Sequence, residues 1–80
     1  MIYLEGAMNH DMLWQVDGSL LKQIPMAVRY FTKKYGHRPT ICQGNIRELS
    51  NAKLLGSIVA GIEITAGAVL QGHIKVGHID

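Results

Sequence analysis

The chain has 80 residues and a mass of 8.8 kDa, which predicts one small domain over residues 1–80. With 48% hydrophobic and 18% charged residues it is too apolar for an intrinsically disordered protein. The longest apolar stretch, residues 58–70, is interrupted by Glu63 and Thr65, so no membrane-spanning segment is expected. The formal net charge of +2 gives no marked electrostatic preference for polyanions over the whole chain.

The cysteine content excludes two ways of stabilising a small fold. Cys42 is the only cysteine, so neither an intrachain disulfide nor a cysteine-rich zinc site can form. A single unpaired thiol, together with an N-terminal segment that lacks the pattern of a secretory signal, predicts a cytoplasmic protein. Because the aliphatic side chains are numerous for so small a core, we expect a second copy of the chain to cover part of them.

The first nineteen residues contain two short apolar runs of strand type, Met1–Leu4 and Met12–Val16. The second run is the better strand candidate, since Trp14 and Val16 fall on one face at a spacing of two. The sequence Asp17-Gly18-Ser19 predicts the turn that ends it.

The main helix is predicted over residues 25–35. Proline is tolerated at the first helical position, and apolar residues follow Pro25 at spacings of three and four. Lys33 and Lys34 stand in the last turn, where cations interact favourably with the helix dipole. Gly36 then supplies a left-handed C-terminal cap. A start at Leu20 is the alternative, but it would place Pro25 inside the helix at a cost of about 3 kcal/mol.

The middle of the chain predicts a short strand and a second helix. Residues 40–43 have strand composition, and Gly44-Asn45 ends the strand. A second helix is expected over residues 46–55, with Asn45 as N-cap, Glu48 completing a capping box and Gly56 as its stop.

The C-terminal third predicts a β-hairpin. A three-residue loop, Ala66-Gly67-Ala68, would pair the strands so that aliphatic side chains share one face, with Gly67 at positive φ. The fold class is therefore α+β, a two-layer α/β sandwich with a small mixed sheet of three to four strands, a C-terminal hairpin and two helices. The residues expected to be buried are Ile24, Val28, Phe31, Ile41, Ile62, Ile64, Ile74 and Val76.

Charge is segregated along the chain. Between Gly18 and Arg47 the sequence has five cations and no acid. Such a stripe can contact phosphates, although it is also the ordinary solvent-facing side of an amphipathic helix. As a nucleic-acid site its residues would be Lys22, Arg29, Lys33, Lys34 and Arg38.

Nothing in the sequence predicts catalysis, a metal site or a cofactor. Cys42 lies within a strand, where a buried and unreactive thiol is usual, and its candidate activators are His37 and His73. His73 and His78 are five residues apart and would face opposite sides of a strand. His10 and His37 could approach either of them, but no compact ligand spacing is present.

These observations predict a non-enzymatic interaction module that self-associates, with an unidentified protein as its partner. The expected assembly is a symmetric homodimer that pairs through residues 70–77 or through an open strand edge beside them. The alternative function is nucleic-acid binding, blind to sequence, through the basic residues between 22 and 38.

Overall fold

The computed structural model describes residues 8–79, with two helices and a five-stranded open sheet. The expected strand at Met1–Leu4 lies outside the described residues. The α+β class and the single main helix are confirmed. In chain order the elements are β1 (Met8–Gln15), α1 (Leu20–Tyr35), β2 (Ile41–Gly44), α2 (Ile46–Asn51), β3 (Ile58–Val59), β4 (Ile62–Ala66) and β5 (His73–Ile79).

The strands stand in the order β1-β5-β2-β4-β3. The last strand of the chain, β5, runs antiparallel between β1 and β2, while β2 and β4 are parallel and are connected through α2. Both sheet edges are formed by other strands, the eight-residue β1 and the two-residue β3. The sheet is therefore mixed, and its C-terminal strand is internal.

The core lies between the sheet and the helices. Helix α1 buries Ile24, Ala27, Val28 and Phe31, and α2 buries Leu49. Alternate residues of the strands pack against these side chains from the sheet. Cys42 stands opposite both Ile64 and Val76 in the ladder, so all three face the helices. The fully or nearly fully buried hydrophobic side chains of the strands are Cys42, Ile62, Ile64, Ile74 and Val76.

Seven of the eight side chains expected in the core are buried, and Ile41 is half-buried. Ile41 stands opposite Gly77 and next to Cys42, so it projects to the face of the sheet away from the helices. Trp14 and Val16, expected to share a face, both pack against the core.

The pairing of the expected C-terminal hairpin is wrong. β4 and β5 are separated by β2, and the hairpin in this part of the chain joins β3 to β4 through Ala60 and Gly61. Both loop residues have positive φ, 54° and 79°, as two-residue hairpin loops of right-handed twist require. Gly67 does not occupy a left-handed turn. Its N–H donates to the Gly44 carbonyl at 3.1 Å, and a Cβ there would lie 2.7 Å from Gln43 Oε1.

Helix α1 begins at Leu20, five residues before the expected start. Pro25 is therefore inside the helix, where the carbonyl of Leu21 loses its usual donor. Burial of Ile24 and the hydrogen bond from Trp14 Nε1 to Gln23 Oε1, at 2.8 Å, stabilise this first part of the helix. The expected C-terminal end is confirmed: Gly36 has φ 80° and donates to the Thr32 carbonyl.

Helix α2 starts as expected and ends four residues early. The Asn45 side chain accepts from the N–H groups of Arg47 and Glu48. At the other end Lys53 takes φ 57°, and Leu54 N–H donates to the Leu49 carbonyl at 2.9 Å. This is a Schellman end, and the buried side chain of Leu54 fixes it because its burial requires the chain to turn back.

Candidate functional site

Three of the five predicted basic residues share a face of α1. Lys22, Arg29 and Lys33 are exposed and are spaced by seven and four residues, so they project from the same side of the helix, away from the sheet. No acidic residue stands anywhere in α1. We call this set the basic face.

The other two predicted basic residues do not belong to the basic face. The Lys34 ammonium group lies 5.4 Å from the centre of the Tyr35 ring, which places it towards the end of the helix. The Arg38 guanidinium donates to the carbonyl of Ala60 and so holds the β3–β4 turn. Arg38 is thus a structural residue of the hairpin.

An aromatic groove adjoins the basic face. It encloses about 260 Å³ and lies between α1 and β1, with Trp14, Met26, Arg29, Tyr30 and Lys33 as its walls. The rings of Trp14 and Tyr30 meet edge to face with centroids 5.5 Å apart. Tyr30 is 51% exposed and Met26 47% exposed, so the apolar surface of the groove is open to solvent. We call this feature the aromatic–basic groove.

The groove is built on rigid elements. The indole N–H of Trp14 is bonded to Gln23, which fixes the ring against α1, and Trp14 itself stands opposite Ile74 inside the sheet ladder. Met26, Tyr30 and Lys33 follow one another at spacings of four and three along the helix. The basic and aromatic side chains of the groove therefore lie next to one another on a strand and a helix, and none of them belongs to a loop.

Sequence reasoning missed the apolar half of this groove. It placed Trp14 and Val16 on one face of a strand, and it included none of Trp14, Met26 and Tyr30 among the candidate binding residues. The available signal was an exposed aromatic at position 30, on the polar side of the helix, with a basic residue on each side at positions 29 and 33.

Cys42 is not an activated nucleophile. Burial raises the pKa of its thiol to about 11, because the charged thiolate is poorly solvated among apolar neighbours. A reactive cysteine needs the opposite shift. The thiol therefore serves as a small core side chain.

Two of the four histidines come together. The His37 and His78 rings lie 4.5 Å apart between centroids, and His37 also meets the Phe31 ring edge to face. His73 is elsewhere, with Nδ1 3.1 Å from the Gln71 carbonyl oxygen. Among residues 8–79, as far as their side chains are described, no three His, Cys, Asp or Glu residues form a group that could hold a metal ion.

A second depression, of about 530 Å³, lies where β1 leads into α1. Val16, Ser19, Leu20 and Glu48 are among its walls. The Glu48 carboxylate accepts from the Gly72 N–H at 3.0 and 3.1 Å, so its charge is used to hold the loop before β5. The expected capping-box role of Glu48 is replaced by this contact.

Comparisons of the chain with protein family models, with curated proteins and with solved structures find no match. In the described part of the chain neither helix has the length and apolar character needed to cross a membrane. The features of the described residues that bear on function are therefore the aromatic–basic groove and the edges of the sheet.

Proposed function

We propose that the protein is a small, non-enzymatic interaction module that self-associates as a symmetric homodimer through the outer edge of β1. The observation that carries this proposal is the position of β1, an eight-residue strand at the border of the sheet. Within residues 8–79 no strand pairs with its outer side. A long strand edge of this kind offers a row of N–H and C=O groups to another chain.

The orientation of the backbone groups follows from one hydrogen bond. Val16 N–H donates to the Gly72 carbonyl, on the β5 side, at 2.7 Å. Since N–H groups alternate in direction along a strand, the N–H groups of Leu13 and Gln15 point away from β5. Two copies of β1, related by a two-fold axis, can exchange these bonds and join their sheets into one.

Side chains beside the edge favour the same contact. Leu13 is 59% exposed and lies on the face of the sheet away from the helices, directly beside the outer edge of β1. The opposite edge cannot serve in the same way, because β3 has only two residues. The expected contact through residues 70–77 is corrected accordingly: β5 is paired on both sides.

The absence of enzymatic activity is part of the proposal. The buried thiol of Cys42 and the engaged carboxylate of Glu48 support it, since each of these two groups has a structural role. A cytoplasmic location, in which the thiol stays reduced, and an unidentified protein partner are retained as predictions.

The experiment is sedimentation velocity at micromolar concentration. We expect the wild-type protein to sediment with twice the 8.8 kDa chain mass. Leu13→Lys should give monomers, because a lysine beside the edge opposes pairing of two strands. Leu70→Lys is the matched control: Leu70 is 73% exposed and lies outside every strand, so this variant should remain dimeric. A wild-type monomer with a cooperative thermal transition would contradict the proposal.

A further inference from the structure

We propose that the aromatic–basic groove binds single-stranded nucleic acid, with a base stacked against the Trp14–Tyr30 pair and phosphates in contact with the basic face. This is a second activity, separate from self-association. It also narrows the sequence-based alternative, which specified neither the strandedness of the nucleic acid nor any stacking residue.

The positive charges around the groove favour a polyanion as its ligand. Arg29 and Lys33 form one wall of the groove, and Lys22 continues the same face towards the start of the helix. The nearest acid on β1, Asp11, projects to the other face of the sheet, where its carboxylate lies 3.8 Å from Lys75 Nζ. A second copy of the chain would bring one basic face against another, and the repulsion disfavours it as occupant.

The rings distinguish a nucleic acid from other polyanions. Aromatic side chains beside a positively charged groove are the usual platform for unpaired bases, because every base has a π-face to stack. The carboxylates of an acidic peptide would leave the exposed Tyr30 ring and the apolar side chain of Met26 without a group to stack on them. The chemistry therefore fits a ligand in which a flat apolar group and a phosphate alternate.

The same geometry distinguishes single strands from duplexes. In a duplex the bases are already stacked on one another, and a protein ring reaches them only at the cost of unstacking. Among the residues whose side chains are described, the groove has one ring pair and no side chain placed to wedge between the base pairs of a duplex. We therefore expect single strands to bind more tightly than a duplex of the same length.

The test uses the fluorescence of Trp14, the only tryptophan in the sequence. Oligothymidylate, a duplex of equal length and polyglutamate are titrated into the protein at ~50 mM salt. We expect saturable quenching by oligothymidylate and binding at least ~10-fold weaker to the duplex. Equal affinity for all three, or no saturable binding below about 100 μM, overturns the proposal.

Substitutions separate stacking from charge. Tyr30→Ala should weaken binding of oligothymidylate by about 5- to 100-fold, and Tyr30→Phe should preserve it. The double variant Arg29→Glu/Lys33→Glu should abolish binding. In the wild-type protein, three phosphate contacts predict a log–log salt slope of about −2 for a single strand.

A charge control completes the design. Lys53→Glu/Arg47→Glu makes the same change in net charge on exposed residues outside α1, and it should leave affinity within about 2-fold. If it abolishes binding as the α1 double variant does, the interaction is unspecific attraction to the whole protein and the proposal fails. The Leu13→Lys variant, tested in parallel, should bind normally whether or not the protein dimerises.

Discussion

One face of helix α1 is buried and the other is exposed to solvent, and two adjacent residues illustrate the difference. Phe31 is fully buried, in contact with the Tyr35 and His37 rings, whereas Tyr30 is half-exposed beside the aromatic–basic groove. Both are aromatic residues in the same helical turn. If the exposed face binds nucleic acid as proposed, stability depends on one face of the helix and binding on the other, so substitutions one position apart should affect different properties.

The first prediction tests the buried face. Phe31→Ala should lower the free energy of unfolding by about 3–5 kcal/mol, because the substitution removes apolar contacts and also leaves a cavity between the helix and the sheet. That is a large fraction of the stability of any small domain, so the variant should be unfolded or nearly so at 25 °C. Urea denaturation followed by circular dichroism measures it. Wild-type stability in this variant would show that α1 does not face the sheet through Phe31.

The second prediction concerns the sheet beneath the same face. The pKa of the Cys42 thiol is raised from 9.0 to about 11, so above pH 9 the unfolded chain loses this proton while the folded chain keeps it. The folded state binds more protons in that range, and stability therefore falls as pH rises from 9 to 11, by about 2–3 kcal/mol. The difference in unfolding free energy between the wild-type protein and Cys42→Ala should shrink over this interval. A constant difference would contradict burial of the thiol.

Periodicity identified the helical core face correctly. It also identified four buried strand residues, Ile62, Ile64, Ile74 and Val76, whereas Ile41, expected among them, is half-buried. It could not order the strands. Ile64 and Ile74 do share one face of the sheet, as alternation predicted, but β2 stands between their strands. Alternation predicts which face of each strand is buried, but it does not predict which strand lies beside it in the sheet. Ala60-Gly61 gave no hairpin signal, because alanine is unusual at positive φ where asparagine or aspartate is expected.

Helix ends were predictable where glycine or asparagine forms the cap and not where tertiary burial does. Gly36 and Asn45 are caps of the expected kind. The end of α2 at Asn51 depends on burial of Leu54 beyond it, and the start of α1 at Leu20 accepts an internal Pro25. The groove escaped prediction for a related reason: Trp14 and Tyr30 are sixteen residues apart, and only the fold brings their rings together.

The third prediction addresses the cap that the sequence did reveal. Asn45→Ala should cost about 1–2 kcal/mol, since the side chain accepts two hydrogen bonds from α2 and also donates to the Val69 carbonyl at 3.2 Å. Asn45→Asp retains the two accepted bonds and should recover about half of the loss. Thermal denaturation of the three proteins in parallel measures both effects. Equal stability of Asn45→Ala and the wild-type protein would show that α2 is held by Leu49 alone.

The last prediction is the smallest effect and returns to the exposed neighbour of Phe31. Tyr30→Ala removes an edge-to-face contact with Trp14, which is worth about 0.5–1.5 kcal/mol in the interior of proteins and less at a half-exposed site. Alanine is also the better helix former, by about half a kcal/mol, and this offsets part of the loss. The free energy of unfolding should therefore change by less than about 1 kcal/mol in urea titrations, while the quenching of Trp14 by oligothymidylate is largely lost. A decrease above about 2 kcal/mol would place Tyr30 in the core and remove the distinction between the two faces on which the proposed binding site depends.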